Sequence, residues 1–142
     1  MDFSVARHGH FNVAHCYDCL EPGNLIVSPI VPTRPLAALS RTAQQELGPV
    51  LAAATKTVRR IIAPQKIYCT QFGEENQQLH FHVFPRTTEM TNEFIRAFPE
   101  QQNLCTVQYC WIGRDPDTAP RSPMSGRPYH PWFGHCRMNS PA

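Results

Sequence analysis

Between Leu36 and Ile62 the apolar residues Leu39, Ala43, Leu47, Val50, Leu51, Ala54, Val58, Ile61 and Ile62 recur at spacings of three and four. That period lines them along one side of a helix. Ser40 is the expected N-cap, because its hydroxyl can accept an amide bond that the first turn leaves unused. Pro64 lies just past the far end, where a stop signal belongs. Gly48-Pro49 falls inside the run; proline lacks an amide hydrogen and its ring crowds the preceding turn, which predicts a kink or two abutting helices. Leu25 to Ile30 and Lys66 to Phe72 are β-branched and aromatic in character and read as strands. A third strand, Gln78 to Arg86, comes after the turn-rich Gly73-Glu74-Glu75-Asn76 and should pair with the second as a hairpin. Thr91 to Phe98 is a short helix with Phe94, Ile95 and Phe98 on one side, ended by Pro99. Leu104 to Ile112 is one more candidate strand.

The Gln78 to Arg86 segment alternates most strictly. Period-two geometry puts Gln78, His80, His82 and Phe84 on one face, with Leu79, Phe81 and Val83 on the other. A slip of one residue would exchange the faces, so the apolar row holds the register and the two histidines are expected to point outward. Same-face neighbours stand about 6.5–7 Å apart along a strand. At that spacing one imidazole can approach a reacting phosphorus or a metal while the other orients it or handles a proton.

These elements predict an α+β fold: an antiparallel sheet of about five strands carrying one long, kinked helix, a short helix, and an irregular, Pro-rich C-terminal segment. The 142 residues suit a single domain with its core at about 10–98 and an extension over 99–142. Half of the 14 prolines lie from Pro99 onward. Tyr129, Trp132 and Phe133 in that extension indicate that it packs on something, either as a lid over the site or as a strap across a partner. A net charge of +2 supplies no field strong enough for duplex nucleic acid or a membrane surface. No apolar run approaches the ~20 residues of a membrane span, and the start lacks the hydrophobic core of a signal peptide, so a cytoplasmic protein is expected. The six cysteines are accordingly read as reduced thiols. Cys16-x-x-Cys19 admits a structural zinc only if His130, His135 or Cys136 completes the ligand set, at a spacing that matches no standard finger. His8, His10, His130 and His135 are read as exposed or loop residues, and Phe11, Tyr17, Phe81 and Phe84 as core aromatics.

The segment Gln78-Leu79-His80-Phe81-His82-Val83-Phe84-Pro85-Arg86 resembles the signature of the histidine-triad family of nucleotide hydrolases and transferases, His-φ-His-φ-His-φ-φ, where φ is apolar. Phe84-Pro85-Arg86 matches the residues after the last histidine in family members. That register puts His80 at the middle, nucleophilic position, His82 at the last, and Gln78 where the first histidine would stand. An alternative register makes His80 and His82 the first two, with Phe84 third. Upstream, Glu21-Pro22-Gly23-Asn24-Leu25-Ile26-Val27-Ser28-Pro29 is similar to the family's Pro-Gly-His-φ-φ-φ-x-Pro strand, with Asn24 in place of a common histidine. Leu36-Ala37-Ala38-Leu39-Ser40 and Tyr68-Cys69-Thr70-Gln71-Phe72-Gly73 are similar to the entry to its main helix and to its third strand. The resemblance covers about Phe11 to Arg86.

It implies a homodimer that uses no cofactor and acts at the α-phosphate of a small-molecule nucleotide conjugate, of the dinucleoside polyphosphate or nucleoside phosphoramidate type. His80 would form a covalent nucleotidyl-histidine. A neutral imidazole suits that task if its other nitrogen is held by a hydrogen bond, and amide or side-chain donors would stabilise the charge growing on phosphate oxygen. Gln71, Gln78 and His82 are the candidate donors, Arg86 a candidate phosphate ligand, and Asn24 and His15 lie near the expected ribose segment. Gln78 can donate through its amide but cannot become a cation, which leaves protonation of the leaving group to His82, or selects a leaving group that needs no proton. Two other readings compete. One is a metal-dependent His-x-His enzyme with Glu89 or cysteines completing the sphere. The other is a nucleotide-binding protein without turnover, suggested by Gln78.

Overall fold

The computed structural model describes residues 3–16, 21–72, 76–97 and Pro99, and the chain divides into two compact units, Met1–Pro85 and Arg86–Ala142. The candidate strand at 104–112, the Pro-rich extension, Tyr17 and Cys19 lie outside the described residues.

Strands β1 (Ser4–His8), β2 (Phe11–His15) and β3 (Leu25–Pro29) precede helix α1 (Arg41–Ile62), which is followed by β4 (Lys66–Thr70), β5 (Phe81–Arg86) and helix α2 (Thr88–Ala97). The sheet has five strands in the order β1-β2-β3-β5-β4, with β1/β2, β2/β3 and β3/β5 antiparallel, so the fold is α+β as expected. No helix among the described residues is long and apolar enough to cross a membrane.

Register assigns the two faces. His15, Leu25 and Val83 stand opposite one another, as do Ala14, Ile26 and His82, and Val13, Val27 and Phe81. Phe11, Val13, Leu25, Val27 and Val83 bury with Ala43, Val50, Ala54 and Val58 of α1 in one core, against which Phe81 also packs. The helix therefore covers the face opposite to His82. By the same alternation Asn24 and Phe84 lie on the His82 face.

Ser40 caps α1 as expected, its Oγ accepting from the Ala43 amide at 3.2 Å. Of the two outcomes expected at Gly48-Pro49, two abutting helices do not occur: α1 is one element with Pro49 inside it. Pro49 and Gly48 both lie on the exposed side, where water can satisfy the carbonyl that the missing amide would have engaged. Gly48 has no Cβ to meet the proline ring, so it keeps helical dihedrals where other residues would be pushed out of them. Helix α2 starts earlier than its apolar pattern suggests because the Thr87 hydroxyl accepts from the Met90 amide at 3.2 Å.

The β1–β2 hairpin turns on Gly9, at φ +54°. It docks on α1 through Glu46, whose carboxylate accepts from the His10 amide at 2.8 Å and from Nδ1 of the same residue at 2.9 Å. Those two donors hold the Glu46 carboxyl below its ordinary pKa. A side chain at residue 9 would occupy the space of that carboxylate.

Proline in a helix interior is disfavoured against alanine by about 3 kcal/mol, partly offset by its stiffening of the unfolded chain. Pro49→Ala is therefore expected to raise stability by about 2 kcal/mol, read as a higher urea midpoint at an unchanged slope.

Candidate functional site

The approach to β5 is built by side-chain and loop acceptors rather than by sheet pairing. Asn76 Oδ1 accepts from the Gln78 amide at 2.9 Å, and the Thr33 carbonyl accepts from the Leu79 amide at 2.6 Å. Leu79 itself is buried in the core. The strand expected from Gln78 consequently begins at Phe81, and His80 stands just ahead of it.

His80 Nδ1 lies 2.6 Å from the carbonyl oxygen of Gln78. A carbonyl only accepts, so Nδ1 carries the proton and a neutral ring keeps its lone pair on Nε2. Among the described residues no group engages Nε2, and the ring is half-buried. This is the tautomer a nitrogen nucleophile needs.

His82 departs from expectation. Its side chain is not outward and solvated but buried, at 8% exposure. The reason is its place in the sheet: β5 lies between β3 and β4, and the site face above it carries other rings. His80 stands 4.9 Å away, centroid to centroid, at 71°, and Phe72 stands 6.1 Å away at 47°. Burial, and secondarily the nearby His80, push the His82 pKa down to about 4. At neutral pH His82 is an uncharged ring that can give or take one hydrogen bond but supplies no imidazolium acid.

The remaining candidates differ in position and burial. Gln71 is exposed, one residue beyond β4 and beside Phe72. Asn24 is buried, one residue before β3, with its carbonyl accepting from the Cys16 amide at 2.8 Å. Gln78 is exposed, and its main chain engages Asn76 on one side and His80 on the other. Arg86 ends β5, half-buried, at the boundary between the two units. His15 is apart from the cluster. Its register is that of Leu25 and Val83 on the helix-covered face, and its ring nitrogens lie 2.8 Å from the Cys16 carbonyl oxygen and 3.1 Å from that of Glu21, to one of which a neutral ring donates. Phe84, read as core, is buried on the His82 face against Tyr68, with centroids 5.3 Å apart.

Phe72, Asn76 and Thr33 were not singled out by the sequence pattern. Asn76 had a readable signal, since an asparagine two residues before a strand entry can take the amide two positions on. Among the described residues no three His, Cys, Asp or Glu side chains form a group able to hold a metal ion. Cys16, buried, and Cys69, exposed, are not in disulfides.

No protein-family model matches the chain, and no curated protein matches it in sequence. Solved structures match in fold. A HIT-like protein of Bartonella henselae, described as involved in cell-cycle regulation, is similar over 62% of this chain and 72% of its own, with TM-score 0.55 and 19% identity. A HIT family protein of Bacillus anthracis is similar over 63% and 67%, with TM-score 0.56 and 17% identity. A HIT family member of Bacillus subtilis is similar over 63% and 67%, with TM-score 0.57 and 13% identity. The fold is histidine-triad-like.

The depressed His82 pKa makes folding pH-dependent. The unfolded chain takes up a proton near pH 6.5 while the folded chain resists it to about pH 4. Stability is therefore complete above pH 6.5 and falls as pH drops toward 4, by up to about 3 kcal/mol from this group. Urea unfolding at about pH 7 and about pH 4.5 should show that loss, and His82→Gln should reduce it.

Proposed function

We propose that this chain is a nucleotide-binding hydrolase or transferase in which His80 Nε2 attacks the α-phosphorus of a nucleotide conjugate. The observation that carries this reading is the 2.6 Å bond from His80 Nδ1 to the Gln78 carbonyl, which leaves the Nε2 lone pair available. In the first step the N–P bond forms, the bond from phosphorus to the leaving group breaks, and the leaving group departs with the electron pair. In the second, water or another hydroxyl acceptor attacks phosphorus, the P–N bond breaks with its electron pair returning to Nε2, and the incoming oxygen gives its proton to solvent water. Cutting one difficult displacement into two is the gain from a covalent nitrogen nucleophile.

His82, whose ring stands 4.9 Å from that of His80, would support the first step as a neutral hydrogen-bonding partner. Gln71 and Gln78 would donate to non-bridging oxygens, where charge grows in the transition state. Arg86 would pair with phosphate and Asn24 would face the ribose side. Neither His82, uncharged at neutral pH, nor the Gln78 amide supplies an acidic proton. That favours a leaving group stable as an anion, such as the phosphate end of a dinucleoside polyphosphate, over an amine expelled from a phosphoramidate. A homodimer is the proposed working state.

Gln78 also favours a second reading, a pocket that binds nucleotide without turning it over. The two separate on variants. His80→Ala should lower hydrolysis of a dinucleoside polyphosphate by at least about 10³-fold, as loss of a nucleophile does, with cooperative unfolding retained. Unchanged turnover in His80→Ala removes His80 from the chemistry. Tight nucleotide binding with no hydrolysis in either the natural protein or Gln78→His selects the binding-only reading.

A further inference from the structure

Two successive peptide units carry three separate hydrogen bonds. The amide linking Gln78 to Leu79 donates its N–H to the Thr33 carbonyl at 2.6 Å, and the C=O of the same unit accepts from His80 Nδ1 at 2.6 Å. One residue earlier, the Gln78 N–H donates to Asn76 Oδ1 at 2.9 Å. The Thr33 carbonyl is itself set in a turn that the Thr33 hydroxyl closes by donating to the Val31 carbonyl at 2.9 Å. The Leu79 side chain is seated in the core, at 2% exposure.

Each bond removes one freedom of the 78–79 peptide plane. Leu79 burial fixes its distance from the sheet, the Thr33 carbonyl fixes which way its N–H points, and so the C=O must point the opposite way across the planar unit. The Asn76 side chain holds the preceding N–H, which prevents rotation about the Gln78 backbone from turning that carbonyl away. Regular strand pairing cannot do this, because β5 begins only at Phe81.

We infer that Asn76 is a positioning residue: acting through the Gln78 main chain, it holds the carbonyl that sets the tautomer and direction of the His80 ring. The side chain at 78 takes no part in this. The clamp is thus compatible with a glutamine at a place where the resemblance expects histidine, because what orients His80 is main chain. The inference deepens the proposed function by adding a residue to its site, and it rests on that reading for its catalytic consequence only.

The test has two arms, both on the full chain. In the first, ¹⁵N–¹H correlation of the histidine rings at about pH 7.5, above the ordinary imidazole pKa, reads the His80 tautomer without any substrate. The natural protein should show a single Nδ1–H form, Asn76→Ala a mixture of tautomers, and Asn76→Asp, which keeps an acceptor oxygen in place, the single form again. In the second arm, Asn76→Ala should lower kcat for a dinucleoside polyphosphate roughly tenfold or more at nearly unchanged KM, as misorientation of a reacting group does. Asn76→Asp should recover most of it. A single tautomer in Asn76→Ala, or equal loss of kcat in both variants, overturns the clamp. Absence of turnover in the natural protein overturns the functional reading instead, and the tautomer arm still decides the clamp.

Discussion

A carbonyl oxygen accepts hydrogen bonds and cannot donate them, and the chemistry assigned to this chain depends on that asymmetry at one place. The Gln78 carbonyl, 2.6 Å from His80 Nδ1, commits the ring proton to that nitrogen and leaves the other as a base or nucleophile. Imidazole would otherwise exchange between two tautomers of similar energy, one of them with its lone pair turned inward. The bond serves only if the carbonyl is immobile, and the surrounding contacts bear on that requirement. Leu79 is anchored in the core, and neighbouring amides are held by Thr33 and Asn76.

The sheet supplies the second requirement, a dry neighbour on one side of the reacting ring. Because α1 buries the Val27 and Val83 face, the opposite face is where polar residues gather, and because β5 is internal to the sheet, that face is not simply wet. His82 is buried and kept neutral there, with Phe72 and His80 against it. Two histidines two residues apart thus receive different roles from their surroundings: one half-buried with a directed lone pair, the other sealed and uncharged. In the proposed reaction, low polarity beside His80 would strengthen every hydrogen bond donated to the phosphoryl oxygens.

Much of this was legible in the residues. The apolar spacing of Ala43, Val50, Ala54 and Val58 and the Ser40 cap describe α1 closely, and alternation in Leu79 to Val83 assigns the faces of β5 correctly. Three features escaped because they depend on contacts distant in the chain. The β1–β2 hairpin has little apolar alternation of its own, since all of β1 is exposed, and it is held by a glutamate 36 residues beyond His10. The start of β5 shifted from Gln78 to Phe81 because acceptors at Asn76 and Thr33 claimed amides that a strand would have used. Burial of His82 results from strand order, which places β3 and β4 on either side of β5, and strand order is not written in periodicity. Pro49 is a different case. An exposed position and a preceding Gly48 let it stay within one helix, where sequence alone also allowed two abutting ones.

The central claim is that the outward nitrogen of His80 bonds transiently to phosphorus, and a trapped adduct tests it most directly. The protein is mixed with a dinucleoside polyphosphate, quenched within its first turnovers under conditions that preserve phosphorus–nitrogen bonds, and sequenced by mass spectrometry. The account predicts a mass increase of one nucleoside monophosphate less water on the peptide carrying His80, localised to that ring and absent after His80→Ala. Turnover that proceeds with no adduct, or with the adduct on another residue, would contradict it.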